Sequence, residues 1–311
     1  MDYRIHFAPL QGYTDAVYRE VHAAVFGGVA VYYTPFVRLE KDGFRNKELR
    51  DIAPGRNREV RPVPQLIAAT PDEFRRIATL FREQGYRQAD INMGCPFPMQ
   101  ARLHRGAGIL PYKVEGEVLL DTVNEFPDMT FSVKLRLGWD NADEALALLP
   151  CINSLPLAHV TLHPRLGIQQ YKGNIDKESF FRFYGACKHP LFYNGDINSL
   201  EDIQWITEAY PLLKGVMLGR GLLSHPWLAA EYVTGNEMPG SVKQAKLITF
   251  HEMLSERYGA SLEGGEHQVL AKLKTLWDYL LPDAEKRLRK KVLKSNNLTT
   301  YRLAVKELLQ Q

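Results

Sequence analysis

The sequence predicts a parallel (β/α)8 barrel of the TIM type followed by a small all-α C-terminal domain. Three observations lead there. Eight short β-rich runs alternate with longer amphipathic segments through residue 225, the pattern of a parallel barrel sheathed in helices. No Gly-x-Gly-x-x-Gly follows the first run, which weighs against a doubly wound dinucleotide fold. Past Trp227 the strand-like runs stop, and Gly235 to Gly240, with Pro239, reads as a linker. The expected domains are residues 1–234 and 241–311.

The strand candidates are residues 5–10, 30–35, 63–68, 89–93, 131–135, 159–163, 191–194 and 215–218. Most are short apolar runs rich in branched or aromatic side chains, several of them closed by Gly, Pro or Asn. Between them, residues 71–84, 114–124, 142–153 and 200–208 carry apolar residues at helical spacing. Thr70 before Pro71, Asn141 before Ala142, and Asn198 or Ser199 before Leu200 supply N-caps. The tail predicts helices at 242–258, 267–281, 283–294 and 299–310, broken by Gly264-Gly265, Pro282 and Ser295-Asn296-Asn297.

Composition is that of a globular protein: 311 residues, 45% hydrophobic and 24% charged. No apolar run approaches the roughly 18 residues of a membrane span. Met1-Asp2-Tyr3-Arg4-Ile5-His6-Phe7 lacks the apolar core of a signal peptide. Three cysteines without CxxC spacing point to a reducing compartment and to neither a disulfide framework nor a metal site. A soluble cytoplasmic protein is expected, sufficient as a monomer and needing no protein partner. Charge is uneven. Residues 241–311 hold 13 Lys and Arg against 8 Asp and Glu, whereas residues 1–240 hold 26 against 28. The tail peaks at Lys286-Arg287-Leu288-Arg289-Lys290-Lys291, which suits a polyanion-binding module as well as an ordinary solvated helix face.

Barrels of this type build their chemistry at the C-terminal strand ends. Those ends carry Pro9-Leu10-Gln11, Thr34, Gln65, Asn92 with Cys95 beyond it, Lys134-Leu135-Arg136, His163-Pro164-Arg165, Asn194-Gly195-Asp196 and Gly219-Arg220-Gly221. Alternation puts Lys134 and Arg136 on one face, and two charges on a barrel strand need an anion or a wet cavity. A salt bridge to a carboxylate such as Asp90 would explain either one alone; polar residues at most strand ends favour a site. Gly195 and Gly219 let backbone N–H groups approach a ligand, and Arg220 adds a fork of donors. The loops after strands seven and eight often hold phosphate, so a phosphorylated cofactor fits there. Cys151 and Cys187 lie on helical patterns and read as small buried hydrophobes. Cys95 sits on a Gly/Pro-bounded loop above the mouth, where it could be a nucleophile, a metal ligand or a general acid. His104 is the one histidine near it in sequence, and no second sulfur accompanies it, so proton donation to a substrate carbon stays open.

These residues resemble a known family. Ala8-Pro9-Leu10-Gln11-Gly12-Tyr13-Thr14-Asp15 with Tyr18-Arg19, Asp90-Ile91-Asn92-Met93-Gly94-Cys95-Pro96, Gly106-Ala107-Gly108 and Val133-Lys134-Leu135-Arg136-Leu137-Gly138-Trp139 are similar to motifs of the flavin-dependent tRNA-dihydrouridine synthases. His163-Pro164-Arg165, Asn194-Gly195-Asp196-Ile197 and Gly219-Arg220-Gly221 continue the series in the family's order. The resemblance is close over residues 4–225 and looser in the tail. It implies an FMN-bearing barrel and a helical domain that together grip tRNA. In that family NADPH reduces the flavin, hydride passes to C6 of a uridine and a cysteine protonates C5, a role that by resemblance would fall to Cys95. Gln65, Lys134, His163, the Asn194-Gly195-Asp196 turn, Gly219 and Arg220 would hold FMN, with Pro9 and Leu10 beside its ring. Asn92, Arg136 and Arg165 would read the uracil edge, with the base drawn out of its stack. Departures are Phe97-Pro98-Met99 where Ser and a basic residue are usual, Pro35 in place of an acidic residue, and His-Pro-Arg in place of His-Gly-Arg. They bear on which uridine, or which structured RNA, is modified. Two rivals remain: an FMN barrel reducing a small molecule such as a free pyrimidine, and a non-catalytic RNA-binding relative.

Overall fold

The computed structural model describes residues 3–41 and 43–310. Met1 and Gln311, the outer limits of the two expected domains, and Asp2 of the N-terminal stretch fall outside them. Barrel strands are β1 (Arg4–Phe7), β2 (Val31–Tyr32), β3 (Gln65–Leu66), β4 (Gln88–Met93), β5 (Thr130–Gly138), β6 (Leu157–Leu166), β7 (Leu191–Asn194) and β8 (Gly215–Leu218). They pair in parallel in the order β2-β1-β8-β7-β6-β5-β4-β3. Parallel bridges Tyr33–Val63 and Val37–Leu66 join the two ends and close the ring.

All eight expected strands exist, with instructive differences in length. β2 and β3 shrink to two residues each because Pro35, Pro62 and Pro64 have no N–H to give a ladder. β5 and β6 run past their expected ends to Gly138 and Leu166, carrying Arg136 and Arg165 up to the rim. Helix Pro71–Glu83 is capped by Thr70, whose Oγ1 accepts from the Glu73 N–H at 3.3 Å, and Leu200–Ala209 starts with a Ser199–Asp202 capping box. Asn141 is one residue off: Ala142 is the N-cap, and Asn141 Oδ1 accepts from Asp143 N–H at 3.0 Å. Helix Ala16–Val25, a Leu39–Glu40/Gly43–Phe44 hairpin and helices Asn46–Ile52 and Lys177–Ala186 were not signalled by the sequence pattern. Cys151 and Cys187 are only partly buried, packing beside the core rather than within it.

The tail is helical as expected, with shifted ends: Gly240–Ser261, Gly265–Lys274 with a 3-10 turn Thr275–Asp278, Lys286–Lys294 and Leu298–Leu309. It shares one apolar core with the barrel. Phe250 meets Tyr18 edge-on at 5.5 Å, Tyr258 Oη donates to Asp15 Oδ1 at 2.9 Å, and Lys272 pairs with Asp15 at 2.8 Å. Removing residues 241–311 would therefore strip Tyr18, Val25 and Phe26 of their cover, so truncation cannot separate a tail function from barrel folding. Among the described residues, no helix is long and apolar enough to cross a membrane.

Candidate active site

A cleft of about 750 Å³ opens at the C-terminal end of the barrel, a size suited to a cofactor. Register explains who meets there: Gln65 pairs with Asp90, Asn92 with Lys134, and Arg136 with His163. Alternation then points Asp90 and Asn92 along one face of β4, and Ser132, Lys134 and Arg136 along one face of β5.

Cys95 lies on the cleft wall, in the loop after β4. Its backbone is held from several directions. Asn92 Oδ1 accepts from the Gly94 and Cys95 N–H groups at 3.0 and 2.8 Å, and the Cys95 carbonyl accepts from Ala107 N–H at 3.0 Å. Gly106, at φ +62°, packs so tightly there that a Cβ would fall 2.7 Å from the Cys95 carbonyl oxygen. Burial pushes the Cys95 thiol up, and the Phe97 N–H, Arg136, Lys134 and Arg38 only partly offset it. The sulfur is thus a protonated thiol at neutral pH, suited to giving a proton rather than attacking as thiolate. His104, the nearest histidine in sequence, instead stacks on Tyr112 and bonds Glu115 at 2.7 Å.

Lys134 projects from β5 onto the cleft wall, partly open to the cleft, with no hydrogen bond or ion pair to another described residue. Burial, helped by repulsion from Arg136, lowers it to about 8 despite Asp90 and Cys95. Arg136 donates through Nε to the Gly94 carbonyl at 3.0 Å and through Nη1 to that of Leu166 at 2.8 Å, leaving other N–H groups free. His163 is neutral, since burial and then the surrounding cations drive its pKa far down, and its Nε2 lies 3.4 Å from Arg165 Nη1. Asn194 Nδ2 donates to the Met217 carbonyl at 2.6 Å, tying β7 to β8 below the Gly195 and Gly219 turns.

Thirteen of the fourteen residues expected at the site line this one cleft: Pro9, Leu10, Gln65, Asn92, Cys95, Lys134, Arg136, His163, Asn194, Gly195, Asp196, Gly219 and Arg220. Arg165 does not. It is buried behind the wall, where its guanidinium holds the Asp196 carboxylate and the Gly173 carbonyl (2.8 Å). Arg220 also pairs with Asp196, at 3.0 Å. Burial alone would raise Asp196, but Arg165 and Arg220 outweigh it and hold the carboxyl below its ordinary value.

A family model described as dihydrouridine synthase matches residues 6–304. The chain belongs to the dihydrouridine synthase family. It is a flavin-dependent oxidoreductase of that family. It is 27% identical over 263 residues to tRNA-dihydrouridine synthase B of Vibrio parahaemolyticus, covering 82% of this chain and 81% of that one. Identity to the tRNA-dihydrouridine(16) synthase of Pseudomonas putida is 29% over 245 residues, covering 75% and 74%. Among solved structures, an old yellow enzyme homologue from Zymomonas mobilis superposes with a TM-score of 0.56 at 12% identity, over 76% of this chain and 90% of that one. That likeness is one of fold.

A flavin fits what this dihydrouridine synthase presents. Lys134 offers an ammonium with no internal acceptor, Gln65 and Asn194 offer amides, and the Gly195 and Gly219 turns leave backbone bare beside Arg220. Sequence reasoning missed Tyr171, Tyr279 and Arg38, and named Tyr13 and Phe97 without giving them a place in the site; all five line the cleft. Tyr171 lies between Arg136 and Arg220, with ring-centre distances of 5.5 and 4.9 Å. An aromatic residue in the loop after an arginine-bearing strand was the available signal. Tyr279 comes from the helical region, too far along the chain for any motif to join it to the barrel; Tyr13, 5.1 Å away ring to ring, links the two.

Proposed function

We propose that this dihydrouridine synthase reduces a uridine of tRNA to 5,6-dihydrouridine in the cytoplasm, as a monomer, with FMN as its flavin and NADPH as reductant. Gln65, Lys134, His163, Asn194, Gly195, Asp196, Gly219 and Arg220 hold the FMN, with Pro9 and Leu10 beside its ring. The flavin, when bound, supplies the hydride that adds to C6 of the uracil. Cys95 gives its thiol proton to C5, so the C5=C6 bond gains one hydride and one proton, and solvent restores the thiol. Negative charge building on the uracil during this step is met by Lys134 and Arg136, donors set in place before the reaction. Asn92 and the free N–H groups of Arg136 orient the base. Arg165 acts one layer back, fixing Asp196.

The observation that carries this reading is a thiol kept protonated by burial, on the same wall as two unneutralised cations. On the helical region, Lys286–Lys294 buries Leu288 and Val292 and exposes Lys286, Lys290 and Lys294 without an ion pair among the described residues, which suits RNA phosphates. The test incubates the flavin-loaded protein with NADPH and tRNA from cells lacking this gene, maps dihydrouridine, and runs Cys95→Ala in parallel. Dihydrouridine at a defined position, lost by about 100-fold or more in the variant with flavin reduction intact, is the expected result. NADPH oxidation with unchanged tRNA refutes the substrate; full activity of Cys95→Ala refutes the acid.

A further inference from the structure

We infer that Asp90, deep in the barrel, is a positioning residue of the reaction: as a hydrogen-bond acceptor it sets the Gln65 amide, which sets that of Asn92, which holds the backbone of Cys95. This rests on the role proposed for Cys95. Asp90 is completely buried and pairs in register with Gln65 on β3 and Ser132 on β5. Ser132 Oγ donates to its Oδ1 at 2.5 Å and Gln65 Nε2 to its Oδ2 at 2.7 Å.

Each further link has one possible polarity. A carboxylate only accepts, so Gln65 must turn its NH2 to Asp90 and its Oε1 away. Asn92 Nδ2 donates to that Oε1 at 2.7 Å, which leaves Asn92 Oδ1 facing the opposite way, where Gly94 and Cys95 present two N–H groups. Were Gln65 reversed, Asn92 would have to reverse as well and would aim its NH2 at two donors, releasing the loop that aims the thiol. An amide carries no charge to choose its own orientation. Asp90 makes that choice for both.

Asp90 also faces Lys134, so its charge and its acceptor role must be separated. Asp90→Asn keeps an acceptor toward Gln65, with the Ser132 hydroxyl turning to accept from the new NH2, and removes the charge. Asp90→Leu removes both at similar volume. With the holoenzyme, two rates are read by stopped flow: flavin reduction by NADPH and flavin oxidation by tRNA. Alkylation of Cys95 by iodoacetamide is followed by peptide mass spectrometry, Cys151 and Cys187 serving as internal references. We expect Asp90→Leu to slow oxidation about 10- to 100-fold and to speed Cys95 alkylation, because a misplaced reacting group costs about that much, and to slow reduction by a clearly smaller factor, since Gln65 also lines the flavin site. Asp90→Asn should resemble the wild type in all three.

Three results overturn the inference: Asn as impaired as Leu, which assigns the effect to charge; Leu slowing reduction and oxidation alike; or Leu leaving oxidation and alkylation unchanged. If Asp90→Leu does not fold, Gln65→Leu breaks the same chain one link later, and alkylation of the flavin-free protein decides, unchanged reactivity overturning the inference. Cys95→Ala separates the two claims. If it turns over normally, the role of Cys95 falls; if it is silent while Asp90→Leu behaves as wild type, only the role of Asp90 falls.

Discussion

Replacing Lys134 with Met should make the flavin-free protein more stable while destroying its hold on the cofactor. Burial first, and then Arg136, draw the ammonium from its ordinary 10.5 to about 8, against the pull of Asp90 and Cys95. That fall corresponds to about 3 kcal/mol charged against the folded state. The pH dependence follows from its sign. Below pH 8 the lysine is charged both folded and unfolded, and the whole cost is present. Between about 8 and 10.5 only the unfolded chain keeps the proton, so wild-type stability rises with pH, and above 10.5 this cost is gone. Met has comparable length and no charge, but Asp90 loses its cation and takes back part of the gain. A net of about 1–2 kcal/mol at pH 7 remains, or about 2–3 °C in Tm for a chain of this length. Calorimetry of the flavin-free proteins at pH 7 and pH 10 tests this, with the advantage of Lys134→Met shrinking at the higher pH. A variant less stable at pH 7, or an advantage that grows with pH, would refute the reasoning.

The loop and the helical region give further tests beside that of Cys95→Ala. Gly106→Ala forces a Cβ to within 2.8 Å of that of Cys95 at a positive φ, so dihydrouridine formation should fall about tenfold or more with flavin retained and about 1–3 kcal/mol of stability lost, read by single turnover and thermal melts. Neutralising Lys286, Lys290 and Lys294 together should weaken RNA binding and lower the salt slope of log K by about 2, measured by titration at several salt concentrations, with no change in flavin reduction by NADPH.

Strand ends were legible because a barrel converts sequence position into location: whatever follows a short β run faces the mouth. Lys134 and Arg136 showed themselves by standing two apart on a strand that should be apolar. What escaped was everything set by the third dimension. Arg165 stands two residues after His163, which strict alternation would put on the same face, but the strand register shifts between His163 and Leu166, and the Arg165 guanidinium is spent on Asp196. Tyr279 joins the cleft through helix packing that no local pattern encodes. The Leu39–Glu40 hairpin and the shortened β2 and β3 belong to a sector of the ring where prolines interrupt the ladder, and there propensity argued for longer strands than hydrogen bonding allows.

The distribution of polarity inside the barrel separates structure from chemistry. Such interiors are usually filled with Val, Ile and Leu. Here the lower layer holds His6, Tyr33 and His159, with Tyr33 Oη 3.0 Å from His6 Nδ1 and from His159 Nε2. Burial drives His6 to about 3 and His159 to about 4, so both are neutral and the three satisfy one another. One layer up, Asp90 carries a charge but is met by Gln65 and Ser132, and burial raises it only to about 6. In the top layer Lys134 keeps a charge with no acceptor, and Arg136 spends only part of its donors on carbonyls. Going upward, then, neutral and self-contained polarity gives way to charge that the protein leaves unanswered. Stability alone would favour the reverse, since an unpaired charge is the most expensive thing a core can hold. The gradient makes sense if the answering charge arrives with a ligand.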